Sequence, residues 1–183
     1  MKHEIINRNT IFKGRIFNVQ VLQTRLPDGK QTQYDIVNHA GAVALVPLDQ
    51  QGNIWFVRQY RVASDREMIE IPAGLMEPGE DAYAAAAREI REEIGQASQK
   101  IEKLGEIYLA PGYSDEIIHI FLASELSPDR LEQDDDEFIE IVRMPVEQAY
   151  AMARSGGIVD GKTLAALLLA QPYIDRFGRL NIS

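Results

Sequence analysis

Glu89, Glu92 and Glu93 fall within five residues of one another, directly after Arg88, in the run GLMEPGEDAYAAAAREIREEIGQ from Gly74 to Gln96. On a helix turning about 100° per residue, with Glu89 at zero, Glu93 lies at about 40° and Glu92 at about −60°. All three carboxylates therefore share one face. Tyr83, Ala87, Ile90 and Ile94 fall between about 100° and 160°, an apolar stripe beside the acidic one. A glutamate-rich helix ordinarily turns such side chains to water. Two features favour another reading. Like charges at i,i+4 destabilise a helix by about 0.2–0.5 kcal/mol, and no lysine is spaced to offset them. Clustered carboxylate oxygens are also the hard donors that Mg²⁺ or Mn²⁺ prefers, with water and phosphate oxygens completing the octahedron.

The surrounding elements must hold that helix at the edge of a cleft. The first forty residues read as strands: RIFNVQVLQTRL alternates with period two, Pro27-Asp28-Gly29 supplies a turn, and QTQYDIVNH returns as a hairpin partner. GAVALVPL is apolar throughout, as a strand buried on both faces requires. IWFVRQYR follows the polar turn at 49–53, and three strand-like runs, LGEIYLA, IIHIFLA and FIEIVRM, follow the acidic helix. Two helical patterns close the chain, PVEQAYAMARS with Pro145 in its first turn and DGKTLAALLLAQPYI with Asp160 as cap. The simplest parse is an α/β chain, with a small antiparallel β segment over 1–39 ahead of a mixed α/β body over 40–183.

Composition narrows the chemistry. The 183 residues suffice for one sizeable core. Nineteen Lys and Arg against 28 Asp and Glu give a net charge of −9, which argues against broad attraction to nucleic acid or an anionic membrane. A phosphate-bearing ligand would need local cations or a metal. Cysteine is absent, so there are no disulfides or thiolate-bound metals, in keeping with a cytoplasmic setting. No apolar run is long enough to span a bilayer. Trp55 and Phe56 read as core, and His119 as a strand residue without a companion histidine.

The segment resembles the Nudix box, G-x5-E-x7-R-E-U-x-E-E-x-G-U with U aliphatic, through Gly74, Glu80, Arg88, Glu89, Ile90, Glu92, Glu93 and Gly95. Eight of nine specified positions agree; the ninth is Gln96, which should weaken packing at the helix end. The resemblance implies a Nudix-type α/β/α sandwich with a mixed sheet. It also implies a hydrolase that splits a nucleoside diphosphate joined to another group, with divalent cations as cofactor. FKGRIFNV, LPDGK, YDIVNHAGAVALVPL, VRQYR, EIPAG and APGYSDE occur in the order found in the ADP-ribose pyrophosphatase branch, and Pro111, sixteen residues after Gly95, resembles that branch's mark.

By similarity, Glu89 and Glu93 are metal ligands, Glu92 a ligand or its support, and Ala73 a carbonyl donor to metal. Glu80 and Arg88 would form a salt-bridged brace. Arg61 would grip a phosphate, a task suited to a planar bidentate cation. Leu75 would meet the substrate through its backbone, Glu116 would lie near the terminal ribose or the attacking water, and Gly112 would shape that loop. The catalytic base falls to Asp135 or Glu137 in LEQDDDEFIEIV, with Glu137 also an additional metal ligand; without the resemblance this acidic run reads as a solvated loop. Arg15, Phe17 and Asp35 occupy positions that resemble adenine contacts in a segment exchanged between two subunits, which implies a homodimer. The expected reaction is Mg²⁺-dependent hydrolysis of ADP-ribose to AMP and ribose 5-phosphate, with Mn²⁺ as a substitute. GDP-mannose or ADP-glucose is the alternative substrate, and a catalytically inactive nucleotide-binding regulator the alternative class.

Overall fold

The computed structural model describes residues 2–132 and 138–180. The chain divides into two compact units, Met1–Gly41 with Tyr108–Ile117, and Ala42–Ile107 with Ile118–Ser183.

The smaller unit is an antiparallel meander of β1 (Glu4–Lys13), β2 (Phe17–Arg25) and β3 (Gln31–His39), in that order across the sheet. The expected turn between β2 and β3 closes through Gly29, whose φ of 86° suits a residue without a Cβ. Its N–H donates to the Leu26 carbonyl at 2.9 Å. β1 is exposed along its whole length and carries two register shifts against β2. A strand without a buried face shows no period-two pattern, which is why the sequence does not delimit it. The 108–117 loop belongs to this unit because it docks on the free edge of β3. Val37 N–H donates to the Tyr113 carbonyl at 2.7 Å, and Asp115 N–H to the Val37 carbonyl at 3.1 Å.

The larger unit is built around β4 (Ala42–Pro47), which pairs parallel with β9 (Ile118–Pro128) and antiparallel with β7 (Ala73–Leu75). β8 (Gln96–Ile107) adds antiparallel to β9, giving a mixed sheet in the order β7-β4-β9-β8. A second, antiparallel sheet has the order β10-β5-β6, from β5 (Asn53–Arg61), β6 (Arg66–Glu70) and β10 (Glu140–Pro145). Alternation along the strands feeds two cores. Val43 and Leu45 of β4, with Phe121 of β9, pack with Ala85, Ala86, Ile90 and Ile94 of helix α1 (Ala82–Ile94). Ala44, Val46, Ile120 and Leu122 point the other way, toward helices α2 (Val146–Arg154) and α3 (Gly161–Leu180). Helices on both faces are the α/β/α arrangement expected, and they explain why GAVALVPL has no polar face. Trp55 and Phe56 are both core, as expected.

Helix α1 starts where Asp81 accepts the N–H groups of Tyr83 and Ala84, and stops at Gly95 in the left-handed region, φ 66°. Asp160 caps α3 as expected, taking Thr163 N–H at 2.9 Å. Two expectations about α1 need correction. Tyr83 is exposed, with its ring edge on Phe121, and the buried face instead gathers Ala85, Ala86, Glu89, Ile90, Glu93 and Ile94. The helix packs on both an apolar sheet and the backbone of β7, so two carboxylates turn inward. Gln96 does not finish the helix at all; it opens β8 and donates from Nε2 to the Gly95 carbonyl.

Candidate active site

Arg88 sits at the centre of the acidic face and has all five of its N–H donors engaged. Nε and Nη2 take the two oxygens of Glu80 at 3.1 and 2.9 Å. Nη1 reaches Glu89 at 2.6 Å and Glu92 at 2.8 Å, and Nη2 also meets the Leu75 carbonyl at 3.0 Å. The anticipated Glu80–Arg88 brace is thus formed and extends further: one guanidinium ties the loop to three glutamates. These bonds, Glu80 foremost, hold Arg88 above its ordinary pKa and Glu80 below its own. The compensation that lysine spacing failed to supply comes from Arg88, four residues before Glu92.

Glu89 and Glu93 are buried, not solvated. Glu89 lies over Gly74 so closely that a Cβ there would sit 2.2 Å from the carboxylate carbon and oxygens. Only glycine allows that approach. Glu93 Oε2 accepts the Ala73 N–H at 3.0 Å. Glu80, Glu89 and Glu92 thus converge on Arg88, with Glu93 beside them on the β7 backbone, so four carboxylates line one face of the box. Arg88 Nη1, shared by Glu89 and Glu92, occupies the space between their oxygens, and among the described residues no group of three or more carboxylate or imidazole side chains is already gathered as a metal cage.

Arg61 lies at the end of β5, with Nε and Nη2 forked on Glu70, both at 2.7 Å. Glu70 is almost fully buried and also accepts from Lys162 Nζ. Burial pushes the Glu70 carboxyl up, but the Arg61 fork and the Lys162 ammonium outweigh it and hold it below the ordinary value. Glu70 and Lys162 are site neighbours that the sequence reading missed. The available signal was a glutamate inside the apolar run MIEIPAG, which a buried strand end tolerates only with a partner.

In the smaller unit, Phe17 is in register with His39, and Asp35 with Val21, four residues further along the same strand pair. That separation is about 13 Å, so the Phe17 and Asp35 side chains do not meet within the unit. Phe17 is half-exposed, its ring centroid 6.3 Å from that of Phe12; Arg15 and Asp35 are exposed. Glu116 Oε1 stands 3.6 Å from Nδ1 of a half-buried His39. Gly112 is exposed and a Cβ there would meet nothing within 4 Å. Asp115 also ties the loop to β3. Its carboxylate takes Asn38 Nδ2 and His39 N–H, each at 2.8 Å. His119 is satisfied by Glu106, with Nδ1 3.1 Å from its carboxylate. Asp135 and Glu137, the two candidates for the base, lie outside the described residues.

The NUDIX domain family profile matches residues 38–167, well over half of the chain. The chain belongs to the Nudix family. An ADP-ribose pyrophosphatase from Bacillus subtilis (strain 168) is 38% identical to it over 173 residues, spanning 93% of this chain and 94% of the relative. A methanol dehydrogenase activator from Bacillus methanolicus is 35% identical over 172 residues, 93% of each chain. Among solved structures, a crystal structure of an ADP compounds hydrolase superposes with a TM-score of 0.85 at 27% identity, covering 98% of this chain and 97% of that one. Nudix hydrolases generally depend on a divalent metal. The residues of this Nudix domain fit such an ion: its donors are carboxylate oxygens, and Gly74 keeps a cradle open at Glu89.

Proposed function

We propose that this Nudix hydrolase cleaves the diphosphate bond of ADP-ribose, giving AMP and ribose 5-phosphate, with Mg²⁺ as cofactor and Mn²⁺ as a substitute. The observation that carries the reading is the cluster of four box carboxylates, three of them on Arg88 and Glu93 on the β7 backbone. Glu89 and Glu93 would hold the ion, with Glu92 beside them and the Ala73 carbonyl as a further donor. When bound, the ion supplies charge neutralisation for the diphosphate and a more acidic water. The chain's own groups do the rest. Arg61, forked on Glu70 through Nε and Nη2, presents Nη1 to a phosphate oxygen. Arg88 holds the Glu92 carboxylate and the Leu75 carbonyl in place beside the substrate. Glu116 acts near the ribose, within the loop that includes Gly112, and Asp135 or Glu137 takes the proton. Arg15, Phe17 and Asp35 bind adenine, Phe17 by stacking, within a homodimer.

A panel of ADP-ribose, ADP-glucose and GDP-mannose, compared by kcat/KM, tests the substrate. ADP-ribose is expected to lead the panel. A larger kcat/KM for GDP-mannose would move the assignment to that sugar nucleotide, and nucleotide binding without turnover of any member would make the protein a regulator.

A further inference from the structure

Glu70, Arg61 and Lys162 form a charged chain that the Nudix helix does not include. Lys162 stands in the first turn of α3, is nearly buried, donates to Glu70 and forms an ion pair with Asp160 at 3.1 Å. Asp160 in turn accepts the Thr163 hydroxyl at 2.6 Å, and the Thr163 oxygen accepts the Ile71 N–H at 2.9 Å. The start of α3 is therefore bolted to Glu70, the last residue of β6, and to Ile71 just after it, three and two positions before Ala73.

Glu70 has more cation around it than one arginine alone would supply, and the arrangement has a direction. The Arg61 fork uses Nε and Nη2, so Nη1 makes no hydrogen bond among the described residues, and the side chain is 42% exposed while its carboxylate partner is 1% exposed. A guanidinium held on one edge by a buried carboxylate is pre-organised to offer its other edge to an anion. A buried carboxylate facing Arg61 alone would be free to follow it outward toward a phosphate. A second cation behind Glu70 opposes that movement. Glu93 of the acidic face also acts on Arg61 electrostatically.

We infer that Lys162 is a positioning residue for diphosphate binding: it anchors Glu70, and Glu70 aims Arg61. This rests on Arg61 being the phosphate-gripping residue of the proposed function, and it adds a residue from α3 that touches no substrate.

The test is calorimetric binding of α,β-methylene-ADP with Mg²⁺ to wild type, Lys162→Met, Arg61→Ala and the double variant, alongside KM and kcat for ADP-ribose. Lys162→Met is expected to weaken analogue binding and raise KM by about 10-fold, with kcat changed less. In the Arg61→Ala background the same substitution is expected to add almost nothing, because coupled positions are non-additive. Wild-type affinity in Lys162→Met, or an undiminished penalty in the double variant, would overturn the inference. Should Lys162→Met fail to fold, Lys162→Gln is read in the same cycle, with the same two outcomes. A wild type that binds the analogue yet leaves ADP-ribose intact would count against the substrate assignment alone, since the binding cycle does not depend on turnover.

Discussion

Arg88 decides the state of the acidic face. Its five donors meet three carboxylates and one carbonyl, so Glu80, Glu89 and Glu92 sit side by side without a lysine. Gly74 is the steric counterpart of that electrostatic device. A methyl group at 2.2 Å from the Glu89 carboxylate must displace it, since the alternative is to move the β7 backbone that pairs with Val43. Gly74→Ala is expected to lower kcat/KM by about 100-fold, the scale of a 1 Å misplacement in a catalytic constellation. Circular dichroism should show the fold retained. A Gly74→Ala enzyme with wild-type kcat/KM would mean that the position of Glu89 is irrelevant to turnover.

At the scale of elements, the end of β6 and the start of α3 are joined by buried charge. Because the Glu70 carboxyl is held below its ordinary value of 4.5, its contribution to stability is fully present above about pH 4.5 and drains away as the pH falls through the depressed folded value. Glu70→Gln is expected to flatten the acid limb of a plot of Tm against pH, while lowering Tm at neutral pH because Arg61 and Lys162 lose their counter-charge. An acid limb as steep as wild type would remove Glu70 from the linkage. What the sequence made legible follows from period and local chemistry. The strand ahead of Asp49, the helix between Asp81 and Gly95 and the Asp160 cap all carry their signal within a few residues. β1, fully exposed, has no such signal, and β6 and β7 are too short to establish a period. Within the site, the box glutamates were legible from spacing. Their burial was not, because it depends on β7 backbone approaching α1 from outside the helix. Glu70 meeting Lys162 across 92 residues is likewise a product of tertiary structure alone.

At the scale of the whole molecule, charge and apolar surface point to different partners. A net charge of −9 leaves an anionic substrate dependent on local cations, which Arg61 and a bound divalent ion would provide. No described helix is long and apolar enough to cross a membrane. Ile5, Ile6, Ile11, Phe12 and Ile16 are all exposed within the smaller unit. Such a concentration of apolar side chains favours an interface, and the proposed homodimer supplies one. Light scattering after size exclusion is expected to return twice the mass of one chain, and Ile11→Asp with Phe12→Asp to shift it toward one. A wild-type mass equal to a single chain would exclude the dimer.

The most direct measurement is AMP formation from ADP-ribose with Mg²⁺ and with EDTA, for wild type and Glu93→Gln of matched Tm. Wild type should yield AMP and ribose 5-phosphate in equal amounts only with the metal, and Glu93→Gln should be slower by on the order of 10²–10³-fold, the scale of losing one electrostatic stabiliser of a transition state. Turnover that survives EDTA, or a Glu93→Gln enzyme as fast as wild type, would contradict a metal-holding role for the carboxylates around Arg88.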